Sequence, residues 1–193
     1  MPHRACPAWL GPLLACPLRR LIHKPEAILR PYLTLGMTVL EIGPGMGFFT
    51  LPMAQMVGAN GRIVCVDVQF KMLEGLQRRV KRAGLADRVV ARVCSEDSLG
   101  VADLAGQIDF ALAFAVVHEV PDEQRLFLEV QRALKPGASC LIAEPRGHVL
   151  ADDFEKTVLS AAEAGLEQMG RPAITRCHTA LVRKLSTSPQ PKA

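Results

Sequence analysis

Apolar residues in this chain come in two kinds of run, and their alternation sets out its elements. From Met37 onward, short β-rich stretches give way to longer mixed stretches of apolar and polar residues, and this repeats. Residues Thr38–Ile42, Arg62–Asp67, 88–93, 108–115 and 139–143 read as strands. The fourth of these is almost continuously apolar, as expected of a strand covered on both faces of a sheet. Residues 48–57, 70–83, 123–134 and 152–164 read as helices between them. Pro52 is at the limit of what a first helical turn accepts, since proline lacks a backbone N–H. Gly84 stops the second helix, with Leu85 placed for a capping contact after the turn. Lys135-Pro136-Gly137 halts the third helix, and Asn60-Gly61 marks the turn before the second strand. Residues 165–174 and Cys177–Lys184 then read as two strands with no helix between them, which implies a hairpin and one antiparallel strand. No internal repeat is visible.

Three regions follow from this pattern. Residues 1–30 form a Pro-interrupted N-terminal segment that becomes helical, with Pro25 suited to a first turn. Residues 31–185 make one domain, and residues 186–193 form a polar, Pro-rich tail expected to be disordered. A chain of 193 residues, 49% hydrophobic and 22% charged, suits a single globular domain with a full core. No apolar run approaches the ~20 residues that span a bilayer. The net charge of +4 is mild. Arg78, Arg79, Lys81 and Arg82 read as the solvated face of a helix, which argues against a nucleic-acid partner. The six cysteines (Cys6, Cys16, Cys65, Cys94, Cys140 and Cys177) lack the paired short spacing of a zinc site. They read as free thiols in a reducing cytoplasm, and no metal ligand set is evident. Leu13-Leu14-Ala15-Cys16 mimics a lipoprotein cleavage box, but Pro7 and Pro12 interrupt the apolar stretch before it.

The candidate chemistry begins at Val39-Leu-Glu-Ile-Gly-Pro-Gly-Met-Gly-Phe-Phe-Thr50, where a strand crosses three alternate glycines into a helix. Glycines there let the backbone lie against a bound nucleoside without an intervening Cβ. A dinucleotide fingerprint would place its third glycine where this chain has Phe48. The pattern here is instead Glu41-x-Gly43-x-Gly45-x-Gly47, with Asp67 closing the second strand and Leu134-Lys135-Pro136-Gly137 preceding a core strand.

Over residues 35–185 these motifs, in this order, resemble the S-adenosylmethionine-dependent methyltransferases of class I. The likeness is greatest to the small stand-alone branch that includes the ubiquinone and menaquinone C-methyltransferases. The resemblance implies a Rossmann-like three-layer αβα sandwich, with a seven-stranded sheet of order 3-2-1-4-5-7-6 and strand 7 antiparallel. It implies S-adenosylmethionine as cofactor, across the carboxyl ends of strands one to four. Glu41 would order the glycine loop, and Gly43, Pro44, Gly45 and Gly47 would approach the methionine part and the ribose. Asp67 would accept both ribose hydroxyl protons. Val68 and Met72 would flank the adenine, Met72 serving equally well as helix core. Ser95 and Glu96 stand where the family usually offers an acid to the adenine edge, so backbone groups there are the alternative. Phe114 and Ala115 would lie beside the amino-acid end of the cofactor.

The same resemblance places the methyl acceptor past the strand ends. His118 and His148 are the candidate bases, each equally readable as a histidine that holds loop backbone. Glu144 and His178 would line the acceptor pocket, roofed by residues 20–28. The segment after strand four lacks the Asn/Asp-Pro-Pro-aromatic signature of amide and exocyclic-nitrogen methylation. The cysteines fall on separate elements, which does not suggest an arsenic substrate. The expected function is therefore C- or O-methylation of a small molecule. An RNA or protein methyltransferase, a protein that binds the cofactor without catalysis, and a nicotinamide dehydrogenase are the rivals.

Overall fold

Alternate burial along the strands divides the interior into two cores. In the computed structural model, which describes residues 23–186, Leu40 and Ile42 of β1 (Thr38–Ile42) face one core. Val39 faces the other. Val64 and Val66 of β2 (Arg62–Asp67) join the first, and Ile63 and Cys65 the second. In β4 (Ile108–Phe114), Ala111 and Ala113 oppose Phe110, Leu112 and Phe114 in the same way. This period of two, with both faces apolar, is what a central strand between helical layers requires.

The sheet has seven strands in the order β3-β2-β1-β4-β5-β7-β6, with β3 at Val89–Val93, β5 at Leu134–Pro145, β6 at Leu166–Gly170 and β7 at Cys177–Lys184. The pairs from β3 across to β5 are parallel. Strand β7 runs antiparallel to both β5 and β6 and lies between them. This is the expected order and direction.

Helices α1 (Pro25–Leu29), α2 (Thr50–Met56) and α3 (Phe70–Arg82) cover one face, with Leu29, Met53, Ala54, Leu73, Leu76 and Val80 in the second core. Helices α4 (Glu123–Ala133) and α5 (Ala151–Glu163) cover the other through Leu126, Phe127, Val130, Phe154, Val158 and Ala161. Helix α3 ends as its sequence predicts: Gly84 turns left-handed at φ +68 and Leu85 donates to the carbonyl of Val80 at 3.0 Å.

Three elements differ from expectation by more than one residue. Helix α2 starts at Thr50 rather than at residue 48, because Phe48 and Phe49 are drawn into the core before the helix begins. Strand β5 starts at Leu134, directly off α4, so Lys135-Pro136-Gly137 does not separate helix from strand. The chain passes it as an irregularity in register, with Ile108 opposite Leu134 but Phe110 opposite Ser139. Strand β6 stops at Gly170, four residues earlier than read. Arg79 is also not simply solvated: its guanidinium donates to the carbonyl of Met46 in the glycine loop.

Among the described residues no helix is long and apolar enough to cross a membrane. The expectations for residues 1–22 and 187–193 lie outside the described residues. These include most of the N-terminal segment, Cys6, Cys16 and nearly all of the tail.

Candidate functional site

Strands β1, β2 and β4 point their carboxyl ends to one edge of the sheet, where the order reverses around β1. Loops leaving a parallel sheet at such a point separate and leave a crevice. Here they enclose a cavity whose floor is Ile42, Gly43, Gly45 and Val66.

The glycine loop is built for close approach. Gly43 continues the sheet by donating to the carbonyl of Val66 at 2.9 Å, then turns left-handed at φ +63 beneath Val116. A Cβ on Gly43 would stand 2.4 Å from Cγ2 of Val116, so only glycine fits under that side chain. Gly45 is different. It is left-handed at φ +54 and lines the cavity, and a Cβ there would meet no atom within 4 Å. Pro44 and Gly47 close the loop, the N–H of Gly47 donating to the carbonyl of Pro44 at 3.0 Å.

Two carboxylates frame this loop. Glu41 is 3% exposed beneath it and accepts Thr50 Oγ1 at 2.5 Å and Cys65 Sγ at 3.4 Å. It therefore ties α2 to β2 below the loop and is not among the cavity-lining residues. Burial pushes its carboxyl up to about 7; the bonds from Thr50 and Cys65 oppose that rise, and the nearby Asp67 adds to it. Asp67, 9% exposed at the end of β2, does line the cavity. Its Oδ1 accepts the N–H of Gln69 at 2.8 Å. Burial raises its carboxyl, and bonds from the N–H groups of Gln69 and Gly45 offset part of the rise.

The side walls are mixed. Val68 is partly exposed at the mouth, and Met72 is almost wholly buried yet still lines the cavity, so it serves as core and wall together. Ser95 and Glu96 lie on the wall past β3, where Ser95 and Ser98 exchange backbone bonds. Glu129 of α4 holds that turn by accepting the N–H of Leu99 at 3.0 Å and Ser98 Oγ at 3.1 Å. Ala115 forms the opposite wall with Val116, Glu119 and Val120. It is one of two non-glycine residues with positive φ among those described, at +57. Phe114 faces the other way, its ring 4.4 Å from Phe49 and 5.2 Å from His23. It is not among the lining residues.

A second polar group lies behind the turn Val117–Glu119. Glu144, at the end of β5 and 1% exposed, accepts the N–H of Val116 at 3.1 Å and of Val117 at 2.7 Å through Oε1. Its Oε2 meets His118 Nδ1 at 2.5 Å. The bond to Glu144 raises the His118 pKa, against a smaller lowering by burial, and Glu119 and Glu123 add to the rise. The His148 ring lies 5.8 Å from that of His118. His178 sits opposite Glu144 in the β5–β7 register, its ring stacked on Phe154 at 5.6 Å. The structure thus brings His118, Glu144 and His148 together, with His178 one strand away. None of the four lines the cavity itself. His23, one of two residues of the expected roof before α1 that are described, bonds the carbonyl of Thr175 at 2.9 Å through Nε2.

The residues that sequence reasoning missed are mostly contributed from a distance. Glu129 approaches from α4, and Val116 from its place over Gly43; neither carries a local motif. Cys65, Cys140 and Cys177 are buried on three strands, and Cys94 is half-buried on the cavity wall. Burial pushes Cys94 up to about 11 and Cys140 up to about 12. Among the described residues, no group of three or more His, Cys, Asp or Glu could hold a metal ion.

The cavity offers an open backbone at Gly45, a buried carboxylate at Asp67, and apolar surfaces at Val68 and Met72.

Comparison with known proteins gives the same picture. A family model described as Methyltransferase domain matches residues 33–180. An arsenite methyltransferase of Aquipseudomonas alcaligenes is 32% identical over 152 residues, covering 72% of this chain and 42% of that protein. A ubiquinone/menaquinone biosynthesis C-methyltransferase of Klebsiella pneumoniae is 27% identical over 109 residues, covering 56% of this chain and 43% of that protein. The chain thus spans less than half the length of these curated relatives. The crystal structure of a SAM dependent methyltransferase from Aquifex aeolicus superposes with a TM-score of 0.85 at 23% identity, covering 94% of this chain and 100% of that one.

Proposed function

This chain belongs to the methyltransferase-domain family, and from that premise we propose that it moves a methyl group from S-adenosylmethionine to a small-molecule acceptor. The observation that carries the reading is the cavity at the end of β1 and β2. Gly45 leaves the space of a side chain empty there, and Asp67 presents a buried carboxylate beside it. When bound, the cofactor supplies a methyl carbon made electrophilic by a positive sulfonium, which leaves as a neutral thioether.

The residues of this chain have the remaining tasks. Gly43, Pro44, Gly45 and Gly47 shape the loop against which the cofactor lies, with Glu41 anchoring that loop from below. Asp67 accepts the ribose hydroxyls, a charge-assisted contact that a neutral side chain cannot match. Val68 and Met72 wall the adenine, and the backbone of Ser95 and Glu96 meets its edge. Ala115, with Phe114 packed behind it, bounds the amino-acid end. Fixing the acceptor in line and keeping water out supplies most of the catalysis in such a displacement. His118 or His148 takes a proton where the acceptor carries one, since an imidazole titrates near neutral pH.

An acceptor methylated at carbon or oxygen suits the site better than arsenic. Of the four described cysteines, Cys94 alone lines the cavity, so the thiols do not converge on one point. The free thiols of Cys65, Cys94 and Cys140 favour a reducing cytoplasm.

One experiment tests the reading against its rivals. Purified protein is incubated with methyl-labelled S-adenosylmethionine and a cell extract, and the label is followed after separation. Label in the small-molecule fraction is the expected result. Label precipitating with RNA or protein would replace the acceptor class, and binding without transfer would leave a non-catalytic cofactor protein.

A further inference from the structure

We propose that α3 clamps the glycine loop through Met46, which makes Gly75 and Arg79 positioning residues for the cofactor. This rests on the methyl-transfer reading above and adds what fixes its binding loop before the cofactor arrives.

The loop needs a hold from outside itself. Gly43, Gly45 and Gly47 are all left-handed, at φ +63, +54 and +86. Glycine has the most backbone freedom to lose, so a loop rich in it is costly to order. Ordering the loop during folding keeps that cost out of the binding step. Between Gly43 and Gly47 only Pro44 and Met46 carry side chains; Pro44 is buried and Met46 half-buried.

Helix α3 grips Met46 at two points. The guanidinium of Arg79 donates to its carbonyl. Four residues earlier, Gly75 makes room for its side chain. A Cβ on Gly75 would stand 3.1 Å from Cγ and Cε of Met46 and 3.2 Å from its Sδ. The fit is reciprocal: a Cβ on Gly47 would stand 2.5 Å from Cδ1 of Leu76, so loop and helix each give way with a glycine. Met72, Gly75, Leu76 and Arg79 follow the i, i+3, i+4, i+7 spacing of one helix face. Met72, at the start of that stripe, lines the cavity.

The needs of a helix alone do not explain these residues. Gly75 lies inside α3 and is not left-handed, and alanine is the better helix former at such a position. Arg79 is half-buried, whereas Arg78, Lys81 and Arg82 beside it are exposed. From Met46 the restraint passes directly to Gly45, whose N–H bonds the Asp67 carboxylate, and both residues line the cavity.

The test titrates S-adenosylhomocysteine calorimetrically into the full chain and its variants, with melting temperatures measured in parallel. Gly75→Ala should melt at or above the wild-type temperature, because the helix gains. It should nevertheless bind at least about threefold more weakly, because the new methyl displaces Met46. A role confined to stability would move both readings the same way. Without the Met46 side chain the effect should vanish: Met46→Ala should bind within about twofold of the double variant Met46→Ala/Gly75→Ala. Arg79→Met should also bind at least about threefold more weakly, while Arg79→Lys, which keeps a charged donor, and Arg78→Met stay within about twofold of wild type. Wild-type affinity in either Gly75→Ala or Arg79→Met would overturn the clamp. If those variants do not fold, amide hydrogen exchange of the ligand-free wild type decides. The Gly47 N–H, bonded to Pro44, should be protected before any ligand is added. Exchange there at the rate of an unstructured chain until S-adenosylhomocysteine binds would overturn the proposal. Failure of folded wild-type protein to bind S-adenosylhomocysteine at all would instead overturn the methyl-transfer reading beneath it.

Discussion

Two glycines in the same backbone conformation separate strain from binding. Gly45 and Gly84 are both left-handed, at φ +54 and +68, and a Cβ on either would meet nothing within 4 Å. Alanine at each position should therefore cost the same, roughly 1–2 kcal/mol for an L-residue held in that region. For a domain of this size such a loss lowers the melting temperature by about 2–8 °C. The difference lies in what surrounds the new methyl. Gly84 lies past the end of α3, away from the cavity lining, whereas Gly45 is part of that lining. S-adenosylhomocysteine titrated calorimetrically, well below both melting points, should bind Gly84→Ala as it binds the wild type. Gly45→Ala should bind at least about tenfold more weakly, a loss of ~1.4 kcal/mol or more. Equal affinities for the two variants, at matched stability, would refute the assignment of this loop to the cofactor.

Further outcomes follow from neighbouring groups. Gly43→Ala combines the same backbone strain with a 2.4 Å approach to Val116; with overpacking added it should lose about 2–5 kcal/mol by urea denaturation. A cost no larger than that of Gly84→Ala would show that Val116 moves aside freely. Asp67→Ala should weaken S-adenosylhomocysteine by about 2–3 kcal/mol through lost charge-assisted hydrogen bonds, and an unchanged calorimetric affinity would remove Asp67 from the site. Glu41 titrates at about 7 when folded but at an ordinary 4.5 when unfolded, so the folded state binds the extra proton between those values. Stability should fall by about 3 kcal/mol as pH climbs through that window, at ~1.36 kcal/mol per unit, and then level off. Glu41→Gln should flatten this decline in melting curves of the ligand-free protein; parallel curves for the two proteins would contradict it.

What could be read from the chain was what depends on neighbours in sequence. The bounds of β1, β2 and β7 were legible because Thr38–Ile42, Arg62–Asp67 and Cys177–Lys184 are apolar runs closed by turns. The glycine loop was legible because left-handed turns need glycine whatever surrounds them. The early start of β5 was not, since Pro136-Gly137 is a break signal that pairing with β4 overrides. Nor was the orientation of Phe114: it directly precedes the cavity-lining Ala115, yet its side chain packs into the far core. The role of Glu144 was hidden for a different reason. Its partners stand 26 to 28 positions earlier in the chain, and only the parallel pairing of β4 with β5 brings them together. Glu129 reaches Leu99 over a similar distance by the packing of α4.

The last strand in sequence is not the last in space. Because β7 fills the slot between β5 and β6, the sheet has a gap until residue 184 has left the ribosome. Until then the nascent protein exposes the backbone edge of β5 to any extended chain nearby, the kind of edge that invites aggregation. A chain cut short before β7 would leave β6 without any strand to pair with, so truncations at this end should yield insoluble material, even though every residue of the cofactor cavity has already been made.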